Sequence, residues 1–417
     1  MSRLTQRTRI VCISDTHNTA VKLPKGDVLV HAGDLTNQGS YSELSKAVQW
    51  LEKADYEVKI VIADEAFYAQ HGSNFHNQIP QDSAKCRALL ASSRSIIYLE
   101  HSSVTVRLKR PDGPRTEFTV FGSPYSPQYG TWAFMYPRAD AGAAADADTT
   151  ADASGQRGSS GDALSPNKTA AALWSAIPLT TDLLITHTPA ATHRDDGCGC
   201  PELAKTLSVV RPRLHVCGHV HQARGAERVM WDVDGRPAEE DPAAAPAAAI
   251  LSREPWQDPN PDPTSAKISL VDLTSRKGNR PLAFYEGLVV VAPPDETPNA
   301  PHVAAGPTSG WSDGASHLVG DTVERQSGEQ APFGPADSCE SGVRQPDRSG
   351  RRETCVVNAA IMATGWPHVG GKRLNKPIVV DIDLPECVFY CRSRFLETSR
   401  PLATGAACRT GCDLFDT

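Results

Sequence analysis

Ile10-Val11-Cys12-Ile13-Ser14-Asp15-Thr16-His17 decides the reading of this chain. Four apolar residues read as a buried strand, and they run directly into a carboxylate and an imidazole two positions apart. In an α/β layered fold, ligands gather outside the carboxyl ends of strands, so a strand that ends on Asp and His points to a site there. The pattern recurs three times. The apolar run at 27–31 ends at Gly33-Asp34-Leu35, that at 183–186 ends at His187-Thr188-Pro189, and that at 214–217 ends at Gly218-His219-Val220-His221. One Asp-x-His or Gly-Asp block arises readily by chance. Four of them, each at a strand end, point to Asp15, His17, Asp34, His187, His219 and His221 as ligands of divalent metal. Mixed carboxylate and imidazole donors suit Mn, Fe, Zn or Ni better than an all-oxygen Mg or Ca site.

Composition bounds the function classes. Of 417 residues, 40% are hydrophobic and 6% aromatic, and Pro 32 and Gly 31 crowd the polar stretches, which fits one globular domain carrying insertions. A formal net charge of -7 argues against a nucleic-acid polymer as partner. Arg351-Arg352 and Lys372-Arg373 read as isolated surface pairs. The basic start, Met1 to Arg9, leads into an apolar run too short for a signal-peptide core, and no stretch reaches bilayer-spanning length. Eleven Cys, an odd number without framework spacing, fit reduced thiols. These features together predict a cytoplasmic chain with no membrane partner. Cys198-Gly199-Cys200 lacks a second Cys pair and reads as a structural loop.

Strands are predicted at 9–13, 27–31, 58–63, 96–99, 104–108, 117–121, 183–186, 214–217, 268–273, 355–363 and 377–382. Helices are predicted at 40–53, where Leu44, Ala47, Val48 and Leu51 share a face, and at 84–91 and 202–209, and ordered structure resumes at 170–177. Segments 139–165, 237–262 and 292–350 are too poor in large apolar residues to offset their ordering entropy and read as disordered insertions. The expected domain is 9–383, followed by a Cys-containing tail at 384–417 with no clear period. After Gln222 the pattern weakens. Tyr125, Tyr129, Trp132 and Phe134 read as a small core under a loop, with base stacking as the rival reading. Asn358 reads as structural.

The order D-x-H, G-D, T-H-x-P, G-H-x-H resembles the calcineurin-like metallophosphoesterases. The finer text, including Gly122-Ser123-Pro124 and Arg213-Leu214-His215-Val216-Cys217-Gly218-His219-Val220-His221, is similar to their small metallophosphoesterase-domain branch. The resemblance implies a four-layer α/β/β/α sandwich with a dinuclear centre between two sheets. It implies that Asp15, His17 and His221 hold a first metal ion, that Asp34 bridges, and that His187 and His219 hold a second. It also implies hydrolysis of a small phosphorylated substrate, such as a cyclic nucleotide, by metal-activated water, with Asp34 and His187 at the reacting centre. The oligomeric state is open.

One block of that family is missing. Gly-Asn-His-Asp/Glu should follow Ala63, and Asp64-Glu65-Ala66-Phe67-Tyr68 stands there. Three readings compete: a short coding piece lost at a splice junction, a genuine variant with a weak second site, or a substitute ligand, with Asp64 nearer than Asn74 or His76. Three functions follow. The first is a metal-dependent phosphoesterase. The second is an impaired relative acting in binding or regulation. The third is an accessory phosphoesterase of a fungal biosynthetic pathway. Arg194, in the loop after His187, is the substrate-binding candidate, with a solvated loop as the rival reading.

Overall fold

The computed structural model describes residues 4–62, 81–128, 134–138, 169–234, 248–276, 279–282, 351–365 and 371–387. Thr5–Ile13 forms β1, Val28–Ala32 β2, Val58–Ile62 β3 and Ile96–Tyr98 β4. Ser269–Leu273 (β13) and Ile378–Pro385 (β15) complete a six-stranded sheet ordered β13-β15-β1-β2-β3-β4. A second sheet contains Ser102–Arg107 (β5), Glu117–Ser123 (β6), Leu183–Thr186 (β9), Leu214–Cys217 (β10), Gly225–Asp232 (β11), Ala249–Pro255 (β12) and Glu353–Asn358 (β14). Its order is β12-β11-β14-β10-β9-β6-β5. Ser126–Pro127 (β7) and Met135–Tyr136 (β8) form a two-stranded ribbon.

The two sheets face each other across a core that includes Ile10, Val30 and Ile60 of the first and Val120, Ile185, Val216 and Val357 of the second. Tyr41–Lys53 (α1) and Ser83–Ala91 (α2) cover the outer face of the first sheet, where Leu44, Val48, Leu51 and Leu90 meet Val11, Leu29 and Val61. Ala170–Ser175 (α3) and Pro201–Val210 (α4) cover the second, where Trp174, Leu203 and Leu207 meet Leu184 and Val356. This is the four-layer α/β/β/α sandwich. Strands β2, β9 and β10 are buried throughout because helices and the opposite sheet leave neither face to water. The capping box of Ser40 and Glu43 starts α1 where the apolar stripe begins.

Strands β1 to β4 run parallel, as do β6, β9, β10 and β14, so each sheet gathers several carboxyl ends at one edge. The segment leaving β14 links those edges. Ser14 N donates to Ala359 O at 3.0 Å, and Ala359 N donates to Cys217 O at 2.8 Å.

Several boundaries differ from the sequence reading. The expected insertion at 237–262 contains β12, a wholly exposed edge strand. Its order comes from pairing with β11, not from apolar burial, so composition could not show it. Strand β11 was not expected; Val229 and Trp231 are buried between the half-exposed Arg228, Met230 and Asp232, the alternation of a strand with one covered face. The return strand β15 runs past 383 to Pro385 because it pairs antiparallel with β1 back to Thr5. Arg351 is buried, not a surface residue: it donates to Thr181 O at 2.6 Å and pairs with Asp182 at 3.0 Å. Cys200 caps α4. Tyr125 and Phe134 meet edge to face at 5.5 Å. Segments 139–165 and 292–350, the tail beyond 387, Asp64, Asn74, His76, Tyr129 and Trp132 lie outside the described residues.

Candidate metal centre

The loops after β1, β2, β9 and β10 bring the six expected side chains together. Asp15 is fully buried, and its carboxylate accepts from His219 N at 3.0 Å to each oxygen. Its Oδ1 lies 3.3 Å from His221 Nε2. His221 Nε2 lies 3.3 Å from His17 Nε2, and His17 Nε2 lies 3.4 Å from Asp34 Oδ2. The other oxygen of Asp34 lies 3.3 Å from His187 Nε2, which lies 3.2 Å from His219 Nδ1. Asp34 therefore joins two groups: Asp15, His17 and His221 on one side, His187 and His219 on the other.

Three of the imidazoles are aimed by their far nitrogen. Nδ1 of His17 donates to Thr36 O at 3.3 Å, that of His187 to Ala32 O at 2.9 Å, and that of His221 to Thr364 O at 3.1 Å. A carbonyl can only accept, so Nδ1 carries a proton in each ring, and Nε2 is the nitrogen turned toward the cluster.

The backbone is bent to the same end. Asp15, His17, Asp34 and His219 all have positive φ, between 43° and 66°. Each costs on the order of 1 kcal/mol or more, and such strain collects at functional sites. Two glycines make room. At Gly33, with φ of 98°, a Cβ would strike the His187 ring. At Gly218 it would overlap Ser14 Oγ and Asp15 Oδ2.

Electrostatics of the cluster follow from crowding. Burial opposes the charge on Asp15, but the bond to His221 and the nearby imidazoles hold its carboxyl well below the usual carboxylate range. Burial also opposes a proton on His221, yet its hydrogen bond to Asp15 and the carboxylate charge raise its pKa to about 9. Burial pushes His17 down to about 4 and His219 to about 3.

Behind this layer stand two buried histidines. His31 and His215 are fully buried, and their Nε2 atoms meet Thr16 Oγ1 at 2.9 Å and Thr186 Oγ1 at 2.8 Å. Each pair fixes the residue before a ligand. Asn358 donates to Arg194 O, Gly218 O and Val220 O at 3.1, 3.4 and 3.0 Å, and so pins the loop carrying His219. Its structural reading fits this geometry. Arg194 lies over Gly225 and donates through Nε to Ala223 O at 3.1 Å, in the turn after His221. It braces that turn from outside the six-residue cluster.

The donor set fits divalent metal. Donor atoms of Asp15, His17, Asp34 and His221 all lie within 4.8 Å of one another. The neighbouring separations of 3.3–3.4 Å match the edge of a tetrahedron with bonds of about 2.0–2.1 Å. Neutral imidazoles facing each other through lone pairs need a proton or a cation between them.

The same region of sequence matches known proteins. No protein-family model matches the chain. Over 241 residues, 52% of the chain, it is 34% identical to human metallophosphoesterase domain-containing protein 1, covering 62% of that protein. A UPF0046 protein of Caenorhabditis elegans is 31% identical over 227 residues, with 64% of its length covered. Over this region the chain is similar to metallophosphoesterase domain-containing proteins. Another similar stretch, 38% identical over 235 residues, lies within a probable rhamnogalacturonate lyase C of Emericella nidulans, of which only 18% is covered. The chain thus spans less than two thirds of the length of each of these relatives. Among solved structures, the phosphopantetheinyl hydrolase of Mycobacterium tuberculosis overlaps 52% of the chain and 84% of its own, at 16% identity and a TM-score of 0.31, too shallow to bear on the chemistry. Among the described residues, no helix is long and apolar enough to cross a membrane.

Proposed function

We propose that the chain is a metal-dependent phosphoesterase acting on a small phosphodiester, such as a cyclic nucleotide. The observation that carries this is Asp34, which turns one oxygen toward His17 and the other toward His187. Asp15, His17 and His221 would hold one cation, His187 and His219 a second, and Asp34 both; Mn, Fe, Zn and Ni suit the donors. Such a pair supplies positive charge to a phosphoryl group and lowers the pKa of water toward neutrality. The protein's own part is orientation. The Nδ1 bonds hold three imidazoles in place, while Asp34, 22% exposed, leaves the site open to a substrate.

The missing Gly-Asn-His-Asp/Glu block after Ala63 favours a second reading, an impaired relative used for binding or regulation. A role as an accessory enzyme in a fungal pathway would place the phosphate on a metabolite. Titrating Mn or Ni into the metal-free chain, with bis-p-nitrophenyl phosphate as substrate, separates the first two. Turnover that saturates with metal supports the phosphoesterase; no turnover at any metal concentration supports the binding protein.

A further inference from the structure

The segment 359–364, which leaves β14, runs beside the loop after β1. Ile361 N donates to Ser14 O at 2.8 Å and Met362 N to Asp15 O at 3.1 Å. Thr364 O accepts from His221 Nδ1 at 3.1 Å. One short segment thus meets Asp15 at its backbone and His221 at its ring. Ala360, Ile361 and Met362 are fully buried, so they cannot shift without disturbing their neighbours.

Asn375 holds the other side of this segment. Its backbone N donates to Ile361 O at 2.7 Å, and its side-chain Nδ2 donates to Ala360 O at 3.1 Å. The next residue is fixed in turn. Lys376 O accepts from Arg224 Nη2 at 2.9 Å, and Arg224 N donates to His221 O at 3.4 Å. Asn375 and Lys376 therefore reach both supports of His221: the segment its ring rests on and the turn that carries its backbone. His187 lies outside this linkage, since its Nδ1 rests on Ala32 O in β2.

We propose that Asn375 is a positioning residue for the metal ion held by Asp15, His17 and His221. This rests on the metal-dependent reading above, though not on turnover. The Asn375 amide touches no ligand. It sets the segment against which Asp15 and His221 are aligned, and loosening the outer bonds of metal ligands weakens binding by about 10–100-fold.

The test is calorimetric titration of Mn into the metal-free full chain, for wild type, Asn375→Ala, Asn375→Asp and Lys376→Ala. Melting temperatures in chelator and bis-p-nitrophenyl phosphate kinetics are measured on the same samples. Asn375→Ala should weaken Mn binding about 10–100-fold. Asn375→Asp keeps the shape but loses the N–H, and should be weakened as well. Lys376→Ala is the control for a merely structural role, because its ammonium donates to Asn260 O and Lys267 O and not to the segment. It should lower the melting temperature and leave Mn affinity unchanged. Mn affinity that depends on Asn375, without turnover by the wild type, leaves the inference standing and removes the catalytic reading. Unchanged Mn affinity in either Asn375 variant, an equal loss in Lys376→Ala, or no Mn binding by the wild type overturns the inference, whether or not the chain hydrolyses the ester.

Discussion

Oδ1 of Asp34 lies 3.3 Å from Nε2 of His187, across the gap between the two sheets. The pairing joins a loop of the first sheet to a loop of the second, so one carboxylate ties the halves of the site together. Removing it should uncouple them. Asp34→Ala should lower metal-dependent hydrolysis at least about 100-fold and leave fewer metal ions per chain, read by elemental analysis after dialysis. Full metal content in that variant would show that Asp34 is not a shared ligand.

Asn358 acts on the same site from behind. Asn358→Ala removes the side-chain donor shared by Arg194 O, Gly218 O and Val220 O, of which the last two keep backbone donors in Val220 N and Ala223 N, a cost of about 1–3 kcal/mol. Both a lower melting temperature and weaker metal binding, by about 10–100-fold, are expected. Loss of stability with unchanged metal affinity would confine Asn358 to the fold.

Glycine substitutions separate close approach from mere flexibility. Gly218→Ala meets Ser14 and Asp15, both fully buried, and should destabilise the chain by at least about 1–3 kcal/mol. Gly365→Ala meets nothing within 4 Å among the described residues and should stay within about 0.5 kcal/mol of wild type. Denaturant unfolding of the two variants side by side reads the difference.

Acid should destabilise the fold through His31 and His215. Thr186 Oγ1 donates to Thr188 O at 2.6 Å, so His215 Nε2 must be the donor to Thr186, and its Nδ1 has no partner. A proton there would be a buried, unpaired charge, and burial pushes the pKa of both rings down to about 3. The folded pKa lies below the unfolded value of about 6.5, so the unfolded chain binds more protons between those values. Stability is then full above about pH 6.5 and falls as pH drops toward 3, by up to about 1.4 kcal/mol per pH unit for each ring. In the metal-free chain His17 and His219 act in the same direction. Unfolding free energies that stay flat from pH 6.5 to 4.5 would refute this.

On the resemblance to the calcineurin-like metallophosphoesterases, which implies that the Asn of this block is a metal ligand and its His orients or protonates the phosphate, restoring Gly-Asn-His-Asp after Ala63 should speed hydrolysis by about 100-fold or more. Equal rates for the two chains would mean another residue already fills that role. Sequencing the transcript across codons 60–68 decides separately whether the gap is natural.

Much of this molecule is written in local pattern. Leu183–Thr186 and Leu214–Cys217 are strands at the expected residues, because continuous apolar runs before Asp or His leave few alternatives. The six clustered side chains were legible for the same reason: a strand end fixes where the next side chains emerge. Strand β12 was not legible, since its order comes from the free edge of β11 and not from its own residues. The burial of Arg351 depends on Asp182 and Thr181, about 170 residues away, which no local window contains.

The sequence alone therefore determined the ligand types, their order and the strands that present them. Only the tertiary structure decided that Asp34 faces both His17 and His187, and that Asn358 and Arg194 brace the loops after His187 and β10. It also decided that Gly33 and Gly218 leave room for their neighbours. Those relations arise where the edges of two sheets meet. The contacts there span up to 204 residues of sequence, and their geometry is set by packing the layers, not by the preference of any residue for its neighbours.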